Sequence, residues 1–180
     1  MGEGTGHIAP ISQHSPKRPG YHDYQAGPNL VCLPEERCSA EEMGDYGSKH
    51  SLPGRDPSQP IENNKDYVVR IPGTDILVGH VHTTISQDGL TIQNVTQIDH
   101  IFHDGQITRT LTQAPDGAWY VTTLGTGNNI WPFMATMNQI FGGDIFDAMD
   151  RQMRDNIRQH HGTHSDDPFG DFSTGISNAN

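Results

Sequence analysis

The chain has 180 residues, of which 32% are hydrophobic, with 20 glycines, 12 prolines and a formal net charge of −11. Its length suits one domain of ordinary size. Its 11 Lys and Arg residues form no run or stripe, which argues against broad binding to duplex phosphates but leaves room for an enzyme gripping one short strand. No stretch approaches the roughly 20 apolar residues of a membrane span, so no membrane partner is expected. Residues 1–7 have neither the basic nor the apolar region of a signal peptide, so any export would proceed as part of a larger system.

From the N-terminus, residues 1–60 show little apolar periodicity and recurrent Gly, Pro, Ser, Glu and His. Such a composition cannot offset its ordering entropy by burial and predicts a long disordered N-terminal arm or linker. Within it, Cys32 and Cys38 bracket a short loop. A disulfide across that loop is sterically feasible and would suit an oxidising compartment; two free thiols are the alternative. Two thiols alone are too few for a zinc site.

Residues 61–159 are the expected folded core. Asp-Gly pairs at 88–89, 104–105 and 116–117 sit between runs that alternate apolar and polar residues. They supply the positive φ angles of tight hairpins, so an antiparallel meander is predicted from about Ile76 to Leu124. The first turn sets Ile85 opposite Ile92, with Val81, Thr83 and Ile85 on one face and His80, His82 and Thr84 on the other. The second is expected to pair His103 with Gln106, Phe102 with Ile107 and His100 with Arg109, leaving Leu90 to Phe102 as one long bent strand. The third lies within Ala114–Gly117. Gly125-Thr-Gly127 is read as the turn ending the sheet.

Beyond it, Ile130, Met134, Met137 and Phe141 mark one helical face. Gly142-Gly143 should break that helix and Asp144 should cap a second, with Ile145 or Phe146, Met149, Met153 and Ile157 on its buried side. Residues 160–180 read as a flexible polar tail. The expected fold class is α+β, an antiparallel β-meander followed by two helices packed on one sheet face.

Chemistry is sought first at His100 and Arg109. An imidazole moves protons near neutral pH and a guanidinium can hold the charge of a pentacoordinate phosphate, so the predicted pairing suits metal-independent phosphodiester cleavage of RNA. In that scheme His100 is general acid or base, His103 a second proton carrier and Arg109 the phosphate stabiliser, while Tyr120 and Thr122 complete the pocket. The plain alternative is a polar strand edge. No cofactor or metal is assigned. His80 and His82 share a strand side but lack a nearby Glu and read as a solvated face. His160, His161, His164, Asp166 and Asp167 lie on a tail without preformed geometry.

The stretch from Asn94 to Arg154 resembles a C-terminal module of bacterial polymorphic toxins and large secreted adhesin-like proteins. The residues concerned are Asn94-Val-Thr96, His100-Ile-Phe-His-Asp-Gly-Gln-Ile-Thr-Arg109, Tyr120-Val-Thr-Thr-Leu-Gly-Thr-Gly127, Asn138 and Phe146-Asp-Ala-Met-Asp-Arg151. That pattern has Pro where this chain has Asp104. The resemblance implies an effector deployed against competitors, commonly a nuclease, with an RNA substrate and an immunity or delivery protein as partners. Two rival expectations stand beside it: a non-catalytic structural or assembly module of a secreted or phage-like particle, and a small protein-binding domain.

Overall fold

The structure, a computed structural model, describes residues 14–128 and 132–162, with side chains in the last helix from residue 143 onward. It contains strands β1 (Tyr21–Cys32), β2 (Lys65–Arg70), β3 (Leu77–Ile85), β4 (Thr91–Thr96), β5 (Gly105–Gln113) and β6 (Trp119–Asn128), with helices α1 (Ala40–Lys49) and α2 (Pro132–His161). The strands form one six-stranded antiparallel sheet in the order β1-β6-β5-β4-β3-β2. Five strands are a simple meander, and β1 closes the far edge by pairing with β6. Both helices lie on one face of this sheet, giving an α+β fold.

Much of the expected arm is folded. Residues 14–60 contain β1 and α1, and only residues 1–13 of that arm fall outside the described residues. Ser39 caps α1, its Oγ accepting the Glu42 N–H at 3.1 Å, and Glu41 and Glu42 occupy the first turn, where the helix dipole favours acids. Upstream, the Ser15 backbone exchanges hydrogen bonds with the Asn128 side chain, strapping the segment to the end of β6. The Cys32–Cys38 disulfide is formed and ties the end of β1 to the head of α1.

The first and third hairpins form as expected, with Ile85 opposite Ile92 and Gln113 opposite Trp119. The second does not. β4 ends at Thr96, Val95 pairs with Gln106 and Ile92 with Arg109, and residues 97–104 make a looped connection. Tight turns from His100 N–H to Gln97 O and from His103 N–H to His100 O coil this loop, so no strand runs from Leu90 to Phe102.

α2 is continuous across Gly142-Gly143, and Asp144 lies inside it rather than capping it. A glycine costs a helix interior about 1 kcal/mol relative to Ala. Burial of Phe146, Met153 and Ile157 against the sheet outweighs that, at about 1.5–3 kcal/mol for each large apolar side chain. The expected apolar face at Ile130, Met134, Met137 and Phe141, and the tail from residue 163 onward, lie outside the described residues or side chains.

Two apolar clusters result. Val31, Met43, Leu111, Trp119, Val121, Met153 and Ile157 fill the space among β1, α1 and α2. Leu52, Ile61, Val69, Val78, Val81 and Ile92 form a second cluster toward β2 and β3. Between them α2 is held by Asp150, buried on its sheet-facing side, which pairs with Arg109 of β5 and accepts from Asn29 at 2.8 Å. His50, just past α1, is buried with Nδ1–H donating to Tyr46 O at 2.8 Å and Nε2 accepting from Asn156 of α2 at 3.0 Å.

Candidate ligand-binding site

The helices do not cover the whole inner face of the sheet, and a cavity of about 560 Å³ remains between it and α2. Its wall is mainly apolar, including Leu52, Val69, Val78, Val81, Ile107 and Phe146. Polar residues line it too, among them Ser51, Arg70, Thr126 and Gln106, whose two buried amide atoms have no partner among the described residues; those of β1, β4 and the β4–β5 loop fall into two sets. Asn94 and Thr96 are already used. Asn94 accepts from Thr83 at 2.6 Å and donates to Ser51 O at 3.2 Å, while Thr96 Oγ1 bonds both polar backbone atoms of Gly105.

His100, His22 and Tyr24 form the second set, each with an atom that has no partner among the described residues. His100 Nδ1 accepts the Phe102 N–H at 3.1 Å, which leaves the proton on Nε2. Burial lowers the His100 pKa to about 4, with the Asp99 charge opposing the shift. A base that weak accepts protons poorly near neutrality, so its available chemistry is donation from Nε2–H. His22 Nδ1–H donates to Gly20 O at 3.2 Å, leaving Nε2 as an acceptor; burial lowers its pKa as well. The Tyr24 hydroxyl is buried and unpartnered, and burial holds it protonated well above the ordinary tyrosine range.

Local sequence explains how these side chains reach the cavity. Gly79 has φ +134°, and a Cβ there would lie 2.3 Å from the His100 Cα, so a glycine lets the β4–β5 loop lie directly on β3. Ile101 N–H donates to Val78 O, and Asp99 accepts from both the backbone and Nδ1 of His80. Gly125 and Gly127 are strand residues of β6, not the turn expected from their spacing. A Cβ at Gly125 would meet the Tyr24 ring at 2.2 Å and one at Gly127 would meet His22 at 2.6 Å. Both glycines make room for cavity-lining rings. The Tyr24 ring stacks on Phe146 at 6.3 Å between centroids.

The structure separates most of the predicted catalytic set. His100 and His103 share one turn, and His103 Nδ1 lies 3.2 Å from Thr96 O. Arg109 does not sit across from His100; it lies opposite Ile92 and Thr123, is 3% exposed and is committed to Asp150 and Thr123. Tyr120 and Thr122 lie on the face of β6 opposite buried Val121 and Thr123, away from the cavity. His80 pairs with Asp99, and His82 pairs with Asp66 at 2.6 Å and Asn64 at 3.1 Å, so neither is simply a solvated side chain.

Sequence reading missed His22 and Tyr24 because they lie in the segment assigned to the arm. The alternation His22, Tyr24, Ala26 was the available signal. It is masked by polar inward residues and by Gly27-Pro28, where the register shifts. Proline is tolerated there because β1 is an edge strand.

No family model matches the chain, and no curated protein matches it. Among solved structures it is similar to a protein of Thermobifida fusca determined in solution (14% identity, TM-score 0.49, covering 78% of this chain and 94% of that one). It is also similar to protein MLL2253 of Mesorhizobium loti (13% identity, TM-score 0.47, covering 76% and 97%). The Aha1 dimer from Colwellia psychrerythraea is a further structural neighbour (11% identity, TM-score 0.37, covering 76% and 95%).

Proposed function

We propose that this protein binds a small, largely apolar molecule beneath α2 and orients it through neutral hydrogen bonds to His100, Tyr24 and His22. The observation that carries the reading is a cavity of about 560 Å³ with an apolar wall, lined also by Tyr24 and Gln106, whose buried polar atoms have no partner among the described residues. Ligand pockets characteristically have this size and makeup, roughly 300–1,000 Å³ with a few convergent polar groups. The ligand is neutral where it meets these residues, because His100 and His22 are uncharged and Tyr24 keeps its proton. A carbonyl or hydroxyl on an apolar frame matches the donor at His100 and the acceptor at His22.

Exposed Ile71 and Ile101 line the cavity, and Ile76, Leu77 and Ile98 are exposed on the same β2–β3 hairpin and β4–β5 loop. An apolar mouth suits entry of a lipophilic molecule. The nuclease reading loses the geometry that motivated it, because Arg109 is spent on holding α2.

Titration with N-phenyl-1-naphthylamine, an uncharged apolar fluorophore, tests the proposal. Wild type should show one saturable fluorescence site, and Ile107→Trp, which fills the cavity, should abolish it while circular dichroism stays native. Absence of binding, or equal binding by a folded Ile107→Trp protein, would refute it.

A further inference from the structure

Away from the cavity, the fold gathers a second group of chemically active side chains. Cys32 ends β1, Cys38 precedes α1, Glu42 lies in the first turn of α1 and His161 ends α2. His161 Nε2 is 2.7 Å from Glu42 Oε1 and 3.7 Å from Cys38 Sγ. The ligand atoms of Cys38, Glu42 and His161 all lie within 4.8 Å of one another, and those of Cys32, Glu36 and Cys38 do the same. Glu36 is engaged locally, its Oε2 accepting the Leu33 N–H at 2.6 Å.

We propose that reduction of the Cys32–Cys38 disulfide converts this cluster into a zinc site whose ligands are Cys32, Cys38, Glu42 and His161. Two sulfurs, an imidazole and a carboxylate form a donor set that suits tetrahedral zinc. Zinc bonds of about 2.3 Å to sulfur and 2.0–2.1 Å to nitrogen put tetrahedral S and N ligands about 3.5 Å apart. The Cys38–His161 separation of 3.7 Å is already close to that spacing. With the S–S bond gone, the sulfurs can part to the roughly 3.8 Å that two zinc–sulfur bonds require.

A thiol reductant supplies two electrons and becomes a disulfide, leaving two cysteine thiols. Zinc binding then displaces both thiol protons. His161 offers its Nε2 lone pair, so its remaining proton moves to Nδ1 and its hydrogen bond to Glu42 is exchanged for two bonds to the metal. The disulfide joins β1 to the head of α1. The zinc would join the same two points and add the end of α2, so the redox state would decide how firmly α2 is clamped over the cavity.

The test uses the full chain reduced with a phosphine, which becomes a phosphine oxide at the expense of water and leaves no competing thiol. Cobalt is titrated first and zinc second. Reduced wild type should take up one cobalt per chain, with thiolate charge-transfer absorption and the visible bands of a tetrahedral ion, and zinc should displace it. The oxidised protein should lack these bands. His161→Ala and Glu42→Gln retain both cysteines and should weaken binding by about tenfold or more, while His164→Ala should bind as wild type does. Absence of the thiolate band in the reduced protein would overturn the proposal. So would undiminished binding by both His161→Ala and Glu42→Gln, or loss of binding in His164→Ala. If reduction unfolds the chain, zinc should restore its circular dichroism, and failure to do so would equally overturn it.

Discussion

Burial lowers the pKa of His100 from 6.5 to about 4. Between those values the unfolded state binds more protons than the folded one, so the contribution of His100 to stability is full above about pH 6.5 and declines as pH falls toward 4. The shift corresponds to roughly 3 kcal/mol, and His22 and His50, also lowered mainly by burial, act in the same direction. Urea unfolding at about pH 7.5 and pH 4.5 should show this loss, and His100→Gln should reduce the difference between the two. An unchanged pH dependence in that variant would contradict the assignment. Tyr24 makes a separable prediction. Its buried hydroxyl lacks a partner among the described residues, an arrangement that costs about 1–3 kcal/mol. Tyr24→Phe should therefore leave the unliganded protein as stable or more stable while weakening a ligand that bonds to the hydroxyl. Gly125→Ala should do the reverse, costing about 1–3 kcal/mol by forcing a methyl into the Tyr24 ring. Thermal melts of the two variants compare these directions.

The lid over the cavity is α2, and its attachment depends on a buried ion pair. Arg109 and Asp150 are 3% and 2% exposed, with Phe146 5.2 Å from the guanidinium. Removing one partner leaves a buried charge, so Arg109→Met should cost about 3–5 kcal/mol in denaturant unfolding. Replacing both, with Asp150→Leu added, should recover most of that loss. This pair also shows where sequence reading falls short. Phe146, Met153 and Ile157 are legible from helical spacing, but Asp150 occupies the same buried side and reads as a solvent-facing acid. Arg109 reads as available for a phosphate because nothing local reveals a partner 41 residues away. The hairpins at Asp88 and Asp116 were legible because their turns are local. Asp104-Gly105 carries the same dipeptide, yet its loop is set by contacts with β3, including Ile101 N–H to Val78 O and His80 to Asp99.

At the scale of the whole molecule, the same alternation rule that reveals a packed core conceals a cavity. The inner face of β1 presents His22 and Tyr24 where a core strand would present aliphatics, so composition placed it in an unfolded arm. The meander and the α+β class were readable, while the edge strand that completes the sheet and supplies two of the three polar anchors was not. Gly125 and Gly127 look like a turn for a related reason, since a glycine that admits a neighbouring ring resembles one that bends the chain. A ligand is proposed to occupy the space beneath α2, and amide NMR during titration with N-phenyl-1-naphthylamine reads that occupancy residue by residue. Saturable shifts should concentrate at Tyr24, Val81, His100 and Ile107, with Tyr120 and Thr122 on the outer face unmoved. Shifts confined to the outer face, or none at saturating probe, would mean that the space beneath α2 holds no such ligand.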